Sequence, residues 1–367
     1  MNKLLDKISV VILFAVILSF AVFGVLLPDN TYSEKENREL NQAPNLTPKK
    51  IFSGEYTSAL GSYVADQFPL RDTFIGIKAY SEILQLKGEN NEIIKTNHAL
   101  IPRPKNDVSR LKDNLNCIEY FATENNLNVV VAPIPRVADV FSEYLPSSYP
   151  LEADREVWNG FKDETKNKSF NVADLYDLLC NSNEYYRTDH HYTSKGAYLV
   201  YKALGKELNY TPYSEDFFKV ECVTKDFCGT SVRRSGFYLF GKDKIELYRY
   251  NDDDKYIINA DGIDIALYDF SKLTTTDKYA VFLGGNHARV DITNGENRKR
   301  LLIIRDSYAD SLVPFLALHF DITLIDLRYY TSSLSALAKE EGITNVLVLE
   351  NIEELCTAKN ISYLRMK

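Results

Sequence analysis

The sequence predicts an α/β protein in which an open sheet of mostly parallel strands is covered by helices on both faces. Two observations support this fold class. Continuous apolar runs, typical of buried parallel strands, alternate with helical stretches towards the end of the chain. Apolar residues make up 45% of the sequence, which is enough to form a core between such layers. A third observation, a long uncharged run near the N-terminus, adds a membrane-spanning helix outside this fold.

Composition limits the classes of partner. The 367 residues include 43 Lys and Arg and 51 Asp and Glu, so the formal net charge is -8. An acidic chain repels phosphate backbones, and we expect no nucleic-acid partner. Five cysteines are too few and too scattered for a disulfide scaffold, and only Cys222 and Cys228 are close enough in sequence to suggest a local bridge.

The N-terminal segment indicates the compartment. Twenty uncharged residues from Ile8 to Leu27 are enough to cross a bilayer as a helix. Lys3 and Lys7 precede this run, and the positive-inside rule keeps them in the cytoplasm and places the rest of the chain outside. We therefore predict a single-pass anchor over residues 1–28 in the cell membrane. A cleaved signal peptide usually has a shorter apolar region, and a buried core helix would show a polar face.

After the anchor, residues 29–50 are polar and contain prolines, which is typical of a linker or an extended arm. One α/β domain is predicted over residues 51–367. It starts with two helices between Ile51 and Gln85 that are interrupted at Pro69. Helical spacing from Val108 to Ile118 then leads into a buried strand at Val129–Pro135.

The middle of the domain is predicted to be less regular. A helix around Asp154–Asp163 and a short strand at Phe170–Leu175 precede a β-rich insertion at about residues 217–300. In that insertion, the runs YIINA, DIALYDF and KYAVFLGG are predicted to form strands and hairpins.

The regular pattern then returns. Three apolar strands are predicted at Leu301–Asp306, Asp321–Asp326 and Asn345–Glu350. Helices are predicted between them, one ending near His319 and one over Ser332–Glu341.

Ser307 follows a buried strand and begins a predicted helix. Ligands of open α/β sheets bind beyond the carboxyl ends of the strands, so a serine hydroxyl here is well placed for chemistry. Free backbone N–H groups at the helix start could also hold an oxyanion. The alternative is structural, because Ser307 and Asp310 have the spacing of a helix-capping box.

The second candidate segment is RTDHHYTSKGAY at Arg187–Tyr198, a polar loop before a helix that Thr193 or Ser194 caps. Asp189 and His191 are two residues apart, so in an extended loop they project to the same side and the carboxylate can orient the imidazole. His190 would point elsewhere.

Two alternatives remain for this loop. A metal could bind Asp189, His190 and His191, although adjacent histidines rarely reach one ion and the other histidines have no ligand spacing. An Asp-His pair with a purely structural role also fits.

Together, several features give the chain a family resemblance. They are the anchor, SEKENREL at Ser33–Leu40, DQFPLRD at Asp66–Asp72, the DHH triplet, GGN at Gly284–Asn286 and RDSYADS at Arg305–Ser311. This combination resembles the bacterial DHHW proteins, which are similar to the alginate O-acetylation proteins of the SGNH hydrolase superfamily. The resemblance covers nearly the whole chain from Ser33 onward and implies an SGNH hydrolase-like, flavodoxin-like sheet between helices.

The resemblance also implies roles for single residues. Ser307 matches the family nucleophile, His191 its general base and Asp189 the residue that orients the base. Asn286 matches the asparagine that donates to the oxyanion, although it also suits a turn.

Two positions depart from the family pattern. Tyr192 replaces the tryptophan of the family name, and Arg305 replaces a glycine at a place where it could crowd the oxyanion site or bind an acidic sugar.

The function implied is O-acetyl transfer to an exopolysaccharide or cell-wall glycan through an acetyl-serine intermediate. We expect no cofactor or metal, and the resemblance implies a multi-spanning membrane O-acyltransferase partner as the acetyl donor. If water replaces the sugar hydroxyl, the same site is an O-acetylesterase. The alternative from another class is a non-catalytic protein that binds polysaccharide or assists its assembly.

Overall fold

A computed structural model of the chain describes residues 2–33, 38–296 and 298–366. The middle of the SEKENREL segment therefore lies outside the described residues. The chain forms two compact units. The first comprises Met1–Asn90 and Arg233–Tyr238, and the second comprises Asn91–Val232 and Leu239–Lys367.

The first unit begins with helix α1 (Asn2–Leu26). Its stretch Asp6–Gly24 has a mean hydropathy of 2.4, and none of it is buried in the protein. By length and composition, α1 meets the requirements of a membrane anchor and also those of a signal sequence.

The remaining elements of the first unit are short strands and helices. They are β1 (Tyr32–Ser33), β2 (Arg38–Glu39), α2 (Pro48–Phe52), α3 (Glu55–Asp66), α4 (Arg71–Leu84) and β3 (Glu89–Asn90). The prediction of two helices interrupted at Pro69 is confirmed. The interruption is completed by Leu70, whose φ of 58° is left-handed and cannot continue a helix. The polar arm is attached to the end of α3, because the amides of Asn41 donate to Asp66 Oδ2 at 2.9 and 2.7 Å.

The second unit is built on a large sheet, so the chain has a mixed α/β fold. The strands of the second unit, in chain order, are β4 (Ile93–Lys95), β5 (Leu100–Pro102), β6 (Asn128–Ile134), β7 (Asn171–Val172), β8 (Lys219–Phe227), β9 (Asp243–Arg249), β10 (Ile257–Ala260), β11 (Ile263–Asp264), β12 (Arg289–Thr293), β13 (Arg300–Arg305), β14 (Asp321–Ile325) and β15 (Asn345–Asn351). Eight of them form the large sheet. The sheet order is β11-β10-β12-β14-β13-β15-β6-β7. The pairs from β14 to β7 are parallel, and β12, β10 and β11 extend the sheet in antiparallel pairs.

Alternate residues of the central strands enter two separate cores. On β13, Leu301 and Ile303 pack into one apolar cluster, whereas Leu302 and Ile304 pack into the other. Because successive side chains of a strand point to opposite faces, both faces of the sheet are covered. This explains why the run LLII is continuously apolar rather than alternating.

Helices form the layers on these faces. They are α5 (Leu111–Glu124), α6 (Val137–Val140), α7 (Leu151–Thr165), α8 (Tyr176–Ser182), α9 (Ser194–Glu207), α11 (Val313–Leu316), α12 (Leu334–Glu340) and α13 (Ile352–Thr357). The short helix α10 (Thr230–Ser235) begins in the second unit and ends in the first. Single 3₁₀ turns lie at Ser142–Tyr144, Glu215–Phe217, Phe270–Thr274, Lys278–Val281, Ser307–Ala309 and Asn360–Arg365.

The β-rich stretch was predicted only in part. YIINA forms β10, but most of DIALYDF lies outside regular strands, and KYAVFLGG begins with the 3₁₀ turn Lys278–Val281, so its prediction as a strand is wrong. The side chains of Tyr279, Val281 and Phe282 are all buried, and a tight turn lets them pack together where a half-exposed strand would alternate. The suggested bridge is also absent, since the thiols of Cys222 and Cys228 are free.

Candidate active site

Ser307 lies just beyond the carboxyl end of β13, at the start of the 3₁₀ turn Ser307–Ala309. The residue before it caps this turn, because Asp306 Oδ1 accepts from the backbone N–H of Tyr308 at 2.9 Å. Asp306 Oδ2 also accepts from the N–H of Asn351 at 2.7 Å, at the end of the neighbouring strand β15. The interpretation of Ser307 as the cap is therefore wrong, and its hydroxyl is left free for another partner.

The DHH segment is held as a closed loop. Tyr185 and Tyr192 form an isolated antiparallel bridge, and the N–H of Tyr186 donates to the carbonyl of His191 at 3.1 Å. Helix α9 follows, and its cap is Thr193, whose hydroxyl accepts from the N–H of Gly196 at 3.1 Å. The cap predicted from the sequence is confirmed. The bridge on one side and the helix on the other fix the backbone that carries Asp189 and His191.

These two segments meet at their side chains. His191 Nε2 lies 2.7 Å from Ser307 Oγ, although the residues are 116 positions apart. His191 Nδ1 lies 2.6 Å from Asp189 Oδ1. Asp189 and His191 are buried, whereas Ser307 is partly exposed. The structure thus brings together three of the six site residues suggested by the sequence, in a continuous hydrogen-bonded chain that ends near solvent.

The carboxylate of Asp189 is held by more than the imidazole. Asp189 Oδ2 accepts from the N–H and the hydroxyl of Thr230, at 2.7 and 2.9 Å. Burial acts to raise the pKa of Asp189, but His190, His191 and the bond from Thr230 outweigh it and hold that pKa well below its usual value. Asp189 is therefore a fixed negative charge beside the imidazole across the physiological pH range.

Tyr279 covers the face of the imidazole. Its ring stacks on His191 with a centroid distance of 3.8 Å and an interplanar angle of 7°. Its hydroxyl donates to the carbonyl of Ser307 at 3.2 Å and lies 3.1 Å from Ser311 Oγ, which can donate to it. Burial raises the pKa of Tyr279 well above its usual value, so the hydroxyl remains a donor. The sequence analysis missed both Tyr279 and Thr230, because neither is close in sequence to the residues it contacts.

Arg305 is the last residue of β13, two positions before Ser307. Its side chain is 0% exposed, and its Nη1 lies 3.1 Å from Asp310 Oδ1 and 3.9 Å from Asp326 Oδ2. Burial raises the pKa of Asp310 to about 6 despite the attraction of Arg305. A guanidinium with no exposed surface has no access to a substrate, so this geometry favours a positioning role for Arg305 over contact with the oxyanion or a sugar.

The other two suggested residues are placed differently. Tyr192 is buried, and its hydroxyl donates to the carbonyl of Tyr308 at 2.5 Å, while the Tyr308 hydroxyl donates to the carbonyl of His190 at 2.5 Å. These two hydrogen bonds join the DHH loop to the Ser307–Ala309 turn. Asn286 is exposed with its Oδ1 3.5 Å from Arg328 Nη2, and within the described part of the chain its side chain forms no hydrogen bond with Asp189, His191 or Ser307.

The metal alternative can be compared with this geometry. Potential ligand atoms of Asp189, His190 and His191 lie within 4.8 Å of one another. However, His190 Nδ1 lies 2.8 Å from Thr230 Oγ1. His191 Nδ1 already faces Asp189, and His191 Nε2 faces Ser307. The donors are engaged with one another, so the set suits proton transfer better than coordination of a cation.

Comparison with known proteins shows a family resemblance. Residues 161–325 match the family model described as DHHW protein, a span that contains both the DHH loop and Ser307. The chain resembles the DHHW proteins. None of the curated proteins matches it.

Solved structures extend the resemblance over about three quarters of the chain. A DHHW family protein from Eubacterium siraeum is 21% identical, with a TM-score of 0.60 over 75% of this chain and 97% of that one. Bacillus cereus PatB1, solved with a sulfonyl adduct, is 19% identical, with a TM-score of 0.63 over 74% of this chain and 97% of that one. The O-acetyltransferase domain of Pseudomonas putida AlgJ is 16% identical over 73% and 95%, and its TM-score of 0.47 is too low to bear on the fold. The first two matches show that the DHHW resemblance extends to the fold.

Proposed function

We propose that this DHHW-like chain is a membrane-anchored serine O-acetyltransferase of the SGNH hydrolase type, acting outside the cytoplasm on an exopolysaccharide or cell-wall glycan. The observation that carries the proposal is the hydrogen-bonded chain from Asp189 through His191 to Ser307. A buried carboxylate, an imidazole and a partly exposed hydroxyl in this order are what an activated serine nucleophile requires.

In the first half-reaction, His191 Nε2 takes the proton of Ser307 as its oxygen attacks the carbonyl carbon of a bound acetyl ester. The tetrahedral oxyanion is stabilised by the backbone N–H of Ser307, with Asn286 as a candidate second donor. When the intermediate collapses, the bond to the donor oxygen breaks, and that oxygen leaves with the proton held by His191. Acetyl-Ser307 remains.

In the second half-reaction, His191 takes a proton from a sugar hydroxyl, whose oxygen attacks the acetyl carbon. The Ser307 oxygen leaves, regains the proton from His191, and the sugar carries the new ester. Asp189 stabilises the imidazolium in both halves without itself accepting a proton. Attack by water at this step would instead make the protein an O-acetylesterase. A multi-spanning membrane O-acyltransferase, implied by the family resemblance, would supply the acetyl group.

A covalent probe tests whether Ser307 is activated. The structure of PatB1 holds a sulfonyl adduct, which makes an aryl sulfonyl fluoride a suitable reagent. The wild type should be labelled on Ser307, and Ser307→Ala and His191→Ala should lose the label. Ser362 is a partly exposed serine of the same unit, as Ser307 is, so Ser362→Ala is the matched control and should label normally. An unlabelled wild type that also fails to release nitrophenol from its acetate ester would favour a non-catalytic polysaccharide-binding protein.

A second experiment distinguishes transfer from hydrolysis. The protein is incubated with nitrophenyl acetate and candidate oligosaccharides, and the products are analysed by mass spectrometry. An acetylated sugar that is absent with Ser307→Ala supports the transferase. Free acetate without any acetylated sugar indicates the esterase.

A further inference from the structure

Helix α4 carries an apolar stripe on its exposed side. The stripe is formed by Leu70 at the N-cap and by Phe74, Ile77 and Leu84 within the helix. Spacings of three and seven residues keep the three helical side chains on one face. The exposed fractions of the four residues, in chain order, are 67%, 41%, 58% and 85%. The buried residues of α4 are the small Gly76 and Ala79. A helix that faces water normally shows the opposite distribution.

The neighbouring helix extends this surface. Leu60, Val64 and Phe68 follow one another at four-residue steps along and just beyond α3, and they are 37%, 52% and 38% exposed. We call these three residues and the stripe of α4 the apolar face. An apolar surface of this extent in a folded unit marks a place where something other than water is bound.

Contacts with α1 indicate what that is. The ring of Phe20 stacks on Phe68 with centroids 5.2 Å apart and meets Phe74 edge-on at 5.6 Å. A Cβ built on Gly24 would lie 3.9 Å from Pro69. Phe20 and Gly24 both belong to the uncharged run Ile8–Leu27, which is long enough to cross a bilayer. If that stretch spans a membrane, side chains that contact its far end must lie at the depth of the membrane boundary.

We infer that α3 and α4 lie in the outer boundary of the lipid bilayer with the apolar face among the acyl chains. This inference rests on the membrane anchoring proposed above. The apolar face is in contact with α1, and this favours lipid over a protein partner. The contacts of Phe20 with Phe68 and Phe74 hold the apolar face next to the helix that is proposed to enter the bilayer. Within the stripe the intervening position is Ser81, and Lys78 lies to one side, where a long side chain can reach the head groups.

The test measures the depth of single side chains in the full-length protein reconstituted in phosphatidylcholine vesicles. Ile77→Trp and Leu84→Trp place a fluorophore on the apolar face. Phe14→Trp reports on the middle of α1, and Tyr213→Trp is a matched control at an exposed aromatic residue of the other unit. The native Trp158 is buried, and the emission of the wild type is subtracted as background. The quencher is phosphatidylcholine brominated either near the head group or near the chain ends.

We expect lipid brominated near the head group to quench the tryptophan emission of Ile77→Trp and Leu84→Trp. The strength of this quenching should be about that with which lipid brominated near the chain ends quenches Phe14→Trp. Tyr213→Trp should remain unquenched. Quenching of Phe14→Trp alone would overturn the inference while leaving the anchor intact, and would assign the apolar face to a protein such as a second copy. Equal quenching at Tyr213→Trp would also overturn it, as nonspecific adsorption. If Phe14→Trp is itself unquenched, the anchoring is wrong and the inference falls with it.

Discussion

Replacing Asp189 with asparagine tests the direction of proton transfer in the site. The substitution keeps the size of the side chain but removes its charge and turns one oxygen into a donor. Oδ2 accepts from both the N–H and the hydroxyl of Thr230, at 2.7 and 2.9 Å, whereas Oδ1 accepts from the N–H of His191 at the longer distance of 3.1 Å. We therefore expect the remaining oxygen to face Thr230 and the new amide to face His191 Nδ1. Nδ1 then has to accept a hydrogen bond, which puts the proton of the neutral imidazole on Nε2. An imidazole in that tautomer cannot take the proton of Ser307.

The size of the effect follows from the bonds that are lost. The hydrogen bond from Nδ1 to the buried carboxylate, which strengthens as the imidazole becomes charged, contributes about 1.5–3 kcal/mol as a bond to a charged group. Reversal of the tautomer adds a comparable cost, giving a total of about 3–6 kcal/mol. At about 1.36 kcal/mol per factor of ten, Asp189→Asn should slow the reaction roughly 10²- to 10⁴-fold. The corresponding change in the Ser-His-Asp template costs about 10⁴-fold.

The assay is the second-order rate of labelling by the sulfonyl fluoride together with the rate of nitrophenyl acetate cleavage. Asp253→Asn is the control, because Asp253 is buried in the same unit but bonds Arg249 instead of a histidine. Thermal unfolding of both variants separates lost chemistry from lost structure. A folded Asp189→Asn protein that keeps more than a tenth of the wild-type rate would refute this account of proton transfer.

Three further predictions concern residues around the candidate site. Gly229→Ala should abolish labelling, because its Cβ would lie 2.2 Å from the Cβ of Asp189, whereas Gly61→Ala has nothing within 4 Å and should label normally. Tyr279→Leu should slow labelling roughly 2- to 30-fold through loss of the stacked ring, and Tyr279→Phe should recover most of that loss in the same assay. The pKa of Asp310 is raised from 3.8 to about 6 in the folded protein. As pH rises, the unfolded chain therefore loses this proton before the folded protein does, and the free energy of unfolding should fall between pH 3.8 and about 6. Melting temperatures across this interval should show the fall in the wild type and a flatter profile in Asp310→Asn; equal slopes would exclude this carboxyl as the cause.

The central strands were the most predictable part of the fold. The apolar runs at β13, β14 and β15 are each buried on both faces, so their sequences contain little except Val, Leu and Ile and leave no competing interpretation. Helix ends were harder to predict, because they depend on which polar side chain reaches a free N–H. At β13 the cap is Asp306 rather than Ser307, and that single-residue difference changes the interpretation of the serine from structural to available.

The candidate site was predictable only where its residues lie close in sequence. The spacing of Asp189 and His191 indicates a pair, and the resemblance to the DHHW proteins connects that pair with Ser307. Nothing local shows that Tyr279 will stack on the imidazole, since its own segment KYAVFLGG suits a strand as well as a turn. Thr230 is similar, because its role arises only when the chain returns to the carboxylate 41 residues later.

The distance of 116 positions between His191 and Ser307 has a consequence for the timing of activity. Residue pairs this far apart form late, after the intervening chain has been ordered. In the proposed mechanism, a growing polypeptide that has emerged only as far as β12 contains Asp189 and the base His191 but lacks the nucleophile Ser307. Premature release or proteolysis before β13 would therefore yield inert fragments, and the chain would become chemically competent only when β13 and the Ser307–Ala309 turn have been synthesised and folded.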